Sequence, residues 1–242
     1  MGITFVGVEH ADYPTDTVNK PSGVIEGDLM IAVAHPQDSH GATLPTPPAG
    51  WTVLYDPIYV SDAMWAQIVW KVAGPSEPSS YTWVQGGFSD MSFYVVAYRG
   101  DAALSIDVSA KANGLSDDLW DFDPGSNPLY AIPSIDPGFD QECLVAIALS
   151  LHQLAGNYLP VTDGYQTLAG YTSRYMQAGG ANDPAIIIQD LIGAGCGVTG
   201  VLTGIKADDW SDTSFHIGLK EAGAAACGEA GFRDYCQSVI QT

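Results

Sequence analysis

Along most of the chain, apolar and polar residues alternate or form short apolar runs bounded by Gly, Pro, Asn and Asp. A period of two and apolar runs too short for helices are typical of β-strands buried on one or both faces. The pattern therefore predicts an all-β protein. A first series of strands is predicted at 3–8, 29–35, 52–59, 63–72, 81–84 and 92–99, and a second at 143–151, 165–173, 185–192, 198–205 and 213–220.

The two series of strands resemble each other in sequence. The segment DLMIAVA at 28–34 matches ECLVAIA at 142–148, and GWTVL at 50–54 matches GYQTL at 164–168, both at an offset of 114 residues. A third match joins 90–93 to 212–215 at an offset of 122. Three matches in the same order indicate an internal duplication. We expect a duplicated antiparallel β-sandwich, jelly-roll-like, with its halves at 1–112 and 138–221.

The remaining segments differ from the strands in composition. Residues 113–137 are rich in Asp, Gly, Pro and Ser and are interpreted as a connecting loop. Residues 222–242 form a C-terminal tail that begins with the small residues GAAA at 223–226. Apolar side chains then recur at helical spacing. This tail is predicted to contain a short amphipathic helix, either folded back on the body or docked on a neighbouring subunit.

The charge balance excludes several classes of partner. Only 8 Lys and Arg oppose 28 Asp and Glu, which gives a formal net charge of -20. Such a chain cannot neutralise many phosphates, so neither nucleic acid nor an anionic membrane is an expected partner. Strong acidity instead suits a soluble protein displayed at high density. No signal-peptide pattern stands at the start, and the longest apolar run, 143–151, is too short to span a bilayer.

Motif searches favour a protein without enzymatic activity. The glycines at 195–200 match G-x-G-x-x-G, but a strand-like sequence follows them where a dinucleotide site needs a helix, so they are interpreted as hairpin turn glycines. The five histidines lack metal-ligand spacing, and no G-x-S-x-G sequence occurs. We therefore predict no catalytic, cofactor-binding or metal-binding residues. Acidic pairs at 117–118, 121–123 and 208–209 are interpreted as solvated loops, with calcium as the alternative.

The four cysteines show no C-x-x-C pair and no zinc-finger spacing. Cys143 lies in an apolar strand-like run and is predicted to be a small core residue. A bridge between Cys227 and Cys236 is left open, because it depends on the geometry of the tail.

The candidate contact residues for a partner are exposed aromatic and apolar side chains. Trp51, Trp70 and Trp83 are predicted to be core residues. The other candidates lie in acidic loops or on the apolar face of the predicted C-terminal helix: Trp120, Trp210, Phe232, Tyr235, Val239 and Ile240.

Five short motifs occur in order: GDLMIA at 27–32, PPAGW at 47–51, WKVA at 70–73, YT at 81–82 and AYRG at 97–100. Together they resemble a recurrent module of tailed-bacteriophage virion proteins, with a G-D-L strand, a P-A-G-W turn and a closing Y-R-G. The resemblance covers roughly residues 3–220. The second copy departs from it, with TDGY at 162–165 in place of P-A-G-W and no Y-R-G.

The resemblance implies a non-enzymatic virion protein, made in the host cytoplasm and assembled with major capsid or tail proteins and with copies of itself. Acidity, a compact body and a separate C-terminal segment favour decoration or cementing of the capsid surface. The alternatives are a tail or fibre component and a carbohydrate-binding module that contacts host glycans.

Overall fold

The computed structural model describes residues 2–12, 15–36, 43–55, 66–86, 91–113, 129–139, 142–150, 167–177, 185–205 and 212–227. These residues form antiparallel strands, turns and loops without a helix, which confirms the predicted all-β class. Within the same ranges, no helix is long and apolar enough to cross a membrane.

Nine strands lie in the first part of the chain: β1 (Thr4–Ala11), β2 (Thr17–Asn19), β3 (Leu29–Pro36), β4 (Thr43–Thr46), β5 (Thr52–Tyr55), β6 (Gln67–Val72), β7 (Ser80–Thr82), β8 (Val84–Gly86) and β9 (Met91–Arg99). Seven follow: β10 (Leu104–Asn113), β11 (Leu129–Ile132), β12 (Glu142–Ser150), β13 (Thr172–Gln177), β14 (Ala185–Ala194), β15 (Leu202–Ile205) and β16 (Asp212–Glu221).

The strands assemble into two equivalent sets. One five-stranded sheet has the order β1-β9-β3-β6-β5, and the other has the order β10-β16-β12-β14-β13. Each set adds a two-stranded ribbon, β2–β7 in the first and β11–β15 in the second, while β4–β8 occurs in the first. The same order of pairing in both parts confirms the predicted duplication. We call the two sets the first and second repeats.

The two large sheets pack face to face and share a central core. Leu29, Ile31 and Val33 of β3 belong to the same buried cluster as Cys143 and Val145 of β12. The alternate residues of each strand face outwards, towards the ribbon of their own repeat. Because both faces of the central strands are buried, these strands are continuous apolar runs. The layers therefore follow the order ribbon, sheet, sheet, ribbon.

The structure changes the alignment of the repeats at the glycine turn. Gly50 and Gly170 both have positive φ, +87° and +83°, at the turn before β5 and β13. The residue after each glycine donates its amide in the same way, Trp51 to Pro48 O and Tyr171 to Leu168 O. The sequence AGWT at 49–52 thus corresponds to AGYT at 169–172, an offset of 120. The predicted match to Gly164 is therefore wrong. It arose because a glycine followed by a tyrosine occurs twice, at 164–165 and at 170–171.

The last strand of each repeat needs a smaller correction. β3 pairs with β9 through Met30 and Ala97, and β12 pairs with β16 through Leu144 and Gly218. This register gives an offset of 121 between β9 and β16, where the sequence match gave 122. One residue is enough to exchange the two faces of a strand.

The boundary between the repeats also differs from the expected one. β10 was not predicted as a strand, and it pairs with β16 in the second sheet although all of it but its last residue lies within 1–112. The repeats are joined by residues 100–103, whereas 113–137 contains β11 and lies inside the second repeat. Of the predicted tail at 222–242, residues 222–227 form turns and an isolated bridge, and the predicted helix lies outside the described residues.

Candidate functional site

Each large sheet has a corner where an acidic residue and a cation meet. The acid precedes or begins the central strand, Asp28 at β3 and Glu142 at β12. The cation ends or nearly ends the neighbouring strand, Arg99 in β9 and Lys220 in β16. These four residues occupy equivalent positions in the two repeats.

The corner of the first repeat is a complete ion pair. Asp28 is 1% exposed and accepts two hydrogen bonds from Arg99, 2.8 Å from Nε and 2.7 Å from Nη2. The amide of Ile25 donates to the same carboxylate at 2.8 Å, and Arg99 also donates to Gly23 O. A bidentate guanidinium and a backbone amide leave this buried carboxylate well compensated.

The corner of the second repeat contains an additional acid. Both first strands have a bulge at the same place, and the extra residue is Val6 in β1 but Asp107 in β10. Lys220 Nζ lies 2.9 Å from Asp107 Oδ1, and the Gly138 amide donates to Asp107 Oδ2 at 3.1 Å. Glu142 instead accepts the amide of Phe139 at 2.9 Å. The charge of one ammonium group, on Lys220, thus acts on two carboxyl groups.

Burial and charge separate the acidities of these two carboxyl groups. Burial, and then the charge of Asp107, raise the pKa of Glu142 to about 7. Burial also acts to raise the pKa of Asp107, but the hydrogen bonds from Lys220 and Gly138 outweigh it and hold that pKa below its ordinary value. Glu142 Oε2 is buried and receives no hydrogen bond from the part of the chain that the structure describes. A proton on this oxygen would make it a donor towards Asp107, which explains how the pair is tolerated.

A carboxyl pair with separated pKa values is what general acid and base chemistry needs, but access is closed here. Glu142 is fully buried, and a Cβ on Gly218 would lie 2.8 Å from its Oε2. Lys220 Nζ lies 3.7 Å from the centre of the Phe139 ring. The corner is therefore a proton-sensitive packing element rather than a substrate site.

Beside this corner, three loop segments meet at a disulfide bond between Cys196 and Cys227. The amide of Cys227 donates to Gly138 O at 2.8 Å, and Phe139 forms a bridge with Ala226. We call the segments 135–139, 195–201 and 222–227 together the clasp. Because Cys227 is bonded to Cys196, the Cys227–Cys236 bridge left open by the sequence is not formed. Cys143 is a buried free thiol in the central core, as predicted.

The glycine motif belongs to the clasp. β15 follows it, which confirms that no helix succeeds the glycines. However, β14 and β15 belong to different sheets, so these are not the glycines of a hairpin but those of a connection between a sheet and its ribbon. Within it, the Thr199 amide donates to Ile135 O at 2.9 Å, which ties the connection to the first segment of the clasp.

The described histidines have structural contacts where they are buried. His216 Nδ1 lies 2.9 Å from Pro133 O, and its Nε2 lies 2.8 Å from the Tyr171 hydroxyl. Burial lowers the pKa of His216, so the neutral ring donates from Nδ1 and accepts at Nε2. Among the residues described, no group of three or more His, Cys, Asp or Glu side chains is placed to hold a metal ion.

The predicted partner-contact residues cannot be placed: Trp120, Trp210, Phe232, Tyr235, Val239 and Ile240 all lie outside the described residues. Trp51 and Trp83 belong to the outer core of the first repeat, as predicted, and Trp70 is half-buried against the central core. Sequence reasoning missed Asp107 and the Cys196–Cys227 pair. The alternation of β10 could have placed Asp107 on a strand, but no sequence signal pairs the two cysteines.

Comparisons with models of known protein families, with curated proteins and with solved structures found no match to this chain.

Proposed function

We propose that this chain is a non-enzymatic structural protein of a tailed-phage particle, displayed on the capsid surface as a decoration or cement protein. One observation carries the proposal. Asp28 of the G-D-L motif and Arg99 of the Y-R-G motif lie far apart in sequence but form a bidentate ion pair. The motifs that resemble the virion module are therefore joined in one structural unit.

The other residues of the motifs also have structural contacts, which agree with a packing role rather than a catalytic one. Gly50 of P-A-G-W provides the positive φ of a turn, and Trp51 packs with ring centroids 5.0 Å from Tyr81 and 6.1 Å from Trp83. Lys71 of W-K-V-A lies 2.6 Å from Glu77 Oε1. At Gly100 of Y-R-G, a Cβ would come 2.7 Å from Ala102 O, so a side chain does not fit.

The layered body and its charge suit a protein that is displayed in many copies. The central strands of each large sheet are buried on both faces, which favours a rigid unit. A formal net charge of -20 keeps neighbouring copies apart except where specific contacts form. We expect those contacts to be with major capsid proteins and with other copies of the chain.

Quantitative mass spectrometry of purified particles, produced by a host that carries the gene, tests this proposal. Copies in the hundreds per particle would support the capsid surface. A handful of copies would instead support a tail or fibre position, including one that contacts host glycans. Absence from particles that are otherwise complete would contradict a virion role.

The C-terminal segment provides the first prediction. Because Ala226 and Cys227 are tied to the body, a truncation should remove residues 228–242. We expect the truncated protein to stay folded, by circular dichroism and thermal unfolding, but to be absent from particles. A matched control replaces 228–242 with a Gly and Ser segment of equal length, which separates the effect of sequence from that of length. Normal incorporation of the truncated protein would show that this segment is not the contact.

A further inference from the structure

The clasp joins the end of the described chain to the body through few contacts. None of residues 222–227 is buried, and this segment consists mainly of Gly and Ala. Among the residues that the structure describes, its backbone hydrogen bonds to other segments are Ala222 to Ala103 O and Cys227 to Gly138 O, both at 2.8 Å. Small exposed side chains contribute little burial energy, so the covalent bond to Cys196 carries much of the attachment.

The opposite side of the clasp is fixed independently of the disulfide. Phe139 is held by the hydrogen bond from its amide to Glu142 and by Lys220 over its ring. The Thr199 amide donates to Ile135 O at 2.9 Å, and the Ile135 amide donates to Thr199 Oγ1 at 3.1 Å. Segments 135–139 and 195–201 therefore keep their places when the disulfide is broken, while 222–227 loses its main tether.

The disulfide can be reached by a reductant from solvent. Cys196 lies in the exposed glycine connection, next to Val198, which is 68% exposed. A solvent-exposed disulfide is open to attack by a thiolate.

We propose that Cys196 and Cys227 form a redox-operated clasp that fixes residues 222–227 to the body when oxidised and releases them when reduced by a dithiol. A thiolate of the dithiol attacks one sulfur, which forms a mixed disulfide and expels the other cysteine as a thiolate. The second thiolate of the dithiol then displaces the first cysteine. The balance is one protein disulfide and one dithiol converted to two cysteine thiols and one oxidised dithiol.

When the disulfide forms in the life of the protein is inferred from the proposed function. The clasp itself is inferred from the described contacts alone. The cytoplasm keeps thiols reduced, so a chain made there would carry an open clasp during particle assembly. Closure would follow release into oxidising surroundings, where a small-molecule disulfide exchanges with Cys196 and Cys227 and leaves as two thiols. The start of the C-terminal segment would thus be free while partners are found and fixed afterwards.

Peptide mapping of the oxidised, full-length protein tests the pairing. Trypsin cuts after Lys and Arg, which places Cys196 in peptide 175–206, Cys227 in 221–233 and Cys236 in 234–242. Without reduction, we expect the first two peptides to be linked, and addition of dithiothreitol to separate them. A link between 221–233 and 234–242 would overturn the clasp.

Hydrogen exchange tests whether the bond holds the segment. In the wild type, dithiothreitol should speed exchange of the Cys227 amide by about tenfold or more, while exchange in β12 and β16 stays unchanged. Cys196→Ser should exchange like the reduced wild type and should not respond to dithiothreitol. Cys236→Ser, the matched control, should respond like the wild type. Unchanged exchange at Cys227 after verified reduction would overturn the clasp, and since no particle is involved, it would leave the proposed virion role untouched.

Discussion

The corners of the two repeats occupy equivalent positions in their sheets but differ in their ion pairs. In the first, one buried carboxylate, Asp28, binds one guanidinium, Arg99. In the second, the bulge contributes Asp107, and a single ammonium group, Lys220, faces two carboxyl groups. Lysine also lacks the planar fork that allows arginine to bind a carboxylate twice. The corners thus differ in the acid at the central strand, in the cation and in the bulge residue, and these three differences separate a self-contained ion pair from a corner that holds a proton near neutral pH.

The outer cores of the repeats also differ, in that the second contains more polar side chains at equivalent positions. In the first repeat, Trp83 stacks on Phe93 with ring centroids 4.8 Å apart. At the positions in β16 that match Phe93 and Val95, the second repeat has Ser214 and His216, which bond to backbone carbonyls of the segment around β11. The first repeat is thus stabilised mainly by apolar packing, and the second relies more on directional hydrogen bonds.

The largest expected effect comes from breaking the first corner. Arg99→Met removes the cation but leaves Asp28, which is 1% exposed, as a buried carboxylate without its partner. Removing one member of a buried pair costs several kcal/mol; because Arg99 itself is partly exposed, we expect a loss of about 2–4 kcal/mol in the free energy of unfolding. Urea denaturation at neutral pH measures it.

Lys20→Met is the control for this substitution, because it removes a cation of the same repeat that takes no part in the Asp28–Arg99 pair. Its effect should stay within about 0.5 kcal/mol. A loss for Arg99→Met no larger than that of the control would mean that the two corners do not differ in the way described.

An intermediate effect is expected at the second corner, and it depends on pH. The folded protein keeps a proton on Glu142 up to about pH 7, whereas the unfolded carboxyl releases it near 4.5. Between these values the native state binds more protons, so this group's contribution to stability is present at low pH and is lost as pH rises. Glu142→Gln stays neutral and avoids that loss. Relative to the wild type, the variant should gain about 1–2 kcal/mol between pH 5 and pH 8.

The measurement is the free energy of unfolding in urea at several pH values. Asp107 contributes the opposite slope at lower pH, since its lowered pKa gives stability that disappears as its carboxylate is protonated. Glu26→Gln, at an exposed position, should follow the wild-type profile throughout. If the profiles of Glu142→Gln and the wild type are parallel, Glu142 does not hold a proton near neutral pH in the folded protein, and the prediction is wrong.

The sequence was sufficient to predict the strands that are buried on both faces. It was insufficient to predict which strands pair with each other. Apolar runs at 29–35 and 143–151 identified the central strands because strands buried on both faces have no polar side to interrupt them. β10 was missed although Leu104, Ile106 and Val108 alternate with polar residues, because it stands beside a loop-like segment. Alternation predicts a strand but not its partner, so the boundary of the repeats was displaced.

The candidate site depended even more on contacts across the chain. Asp107 reaches Glu142 only because a bulge adds one residue to β10, and Cys196 and Cys227 meet only because the connection after β14 crosses towards the ribbon. Neither contact is indicated by a local pattern in the sequence. The glycine turns are the intermediate case, since each is a local signal whose counterpart in the other repeat has to be identified correctly.

Those turns provide the smallest and most specific comparison. Gly50→Ala and Gly170→Ala both force alanine into a positive φ, while the added Cβ meets only ordinary contacts, Lys71 Nζ at 3.8 Å and Leu191 Cδ1 at 4.0 Å. Each substitution should therefore lower the free energy of unfolding by about 1 kcal/mol through backbone strain alone. Equal losses, measured by urea denaturation, would support the offset of 120 residues between the turns. A smaller loss at Gly170 than in Gly164→Ala would instead restore the alignment that the sequence first indicated, and with it a different assignment of the aromatic residue that each turn places against its sheet.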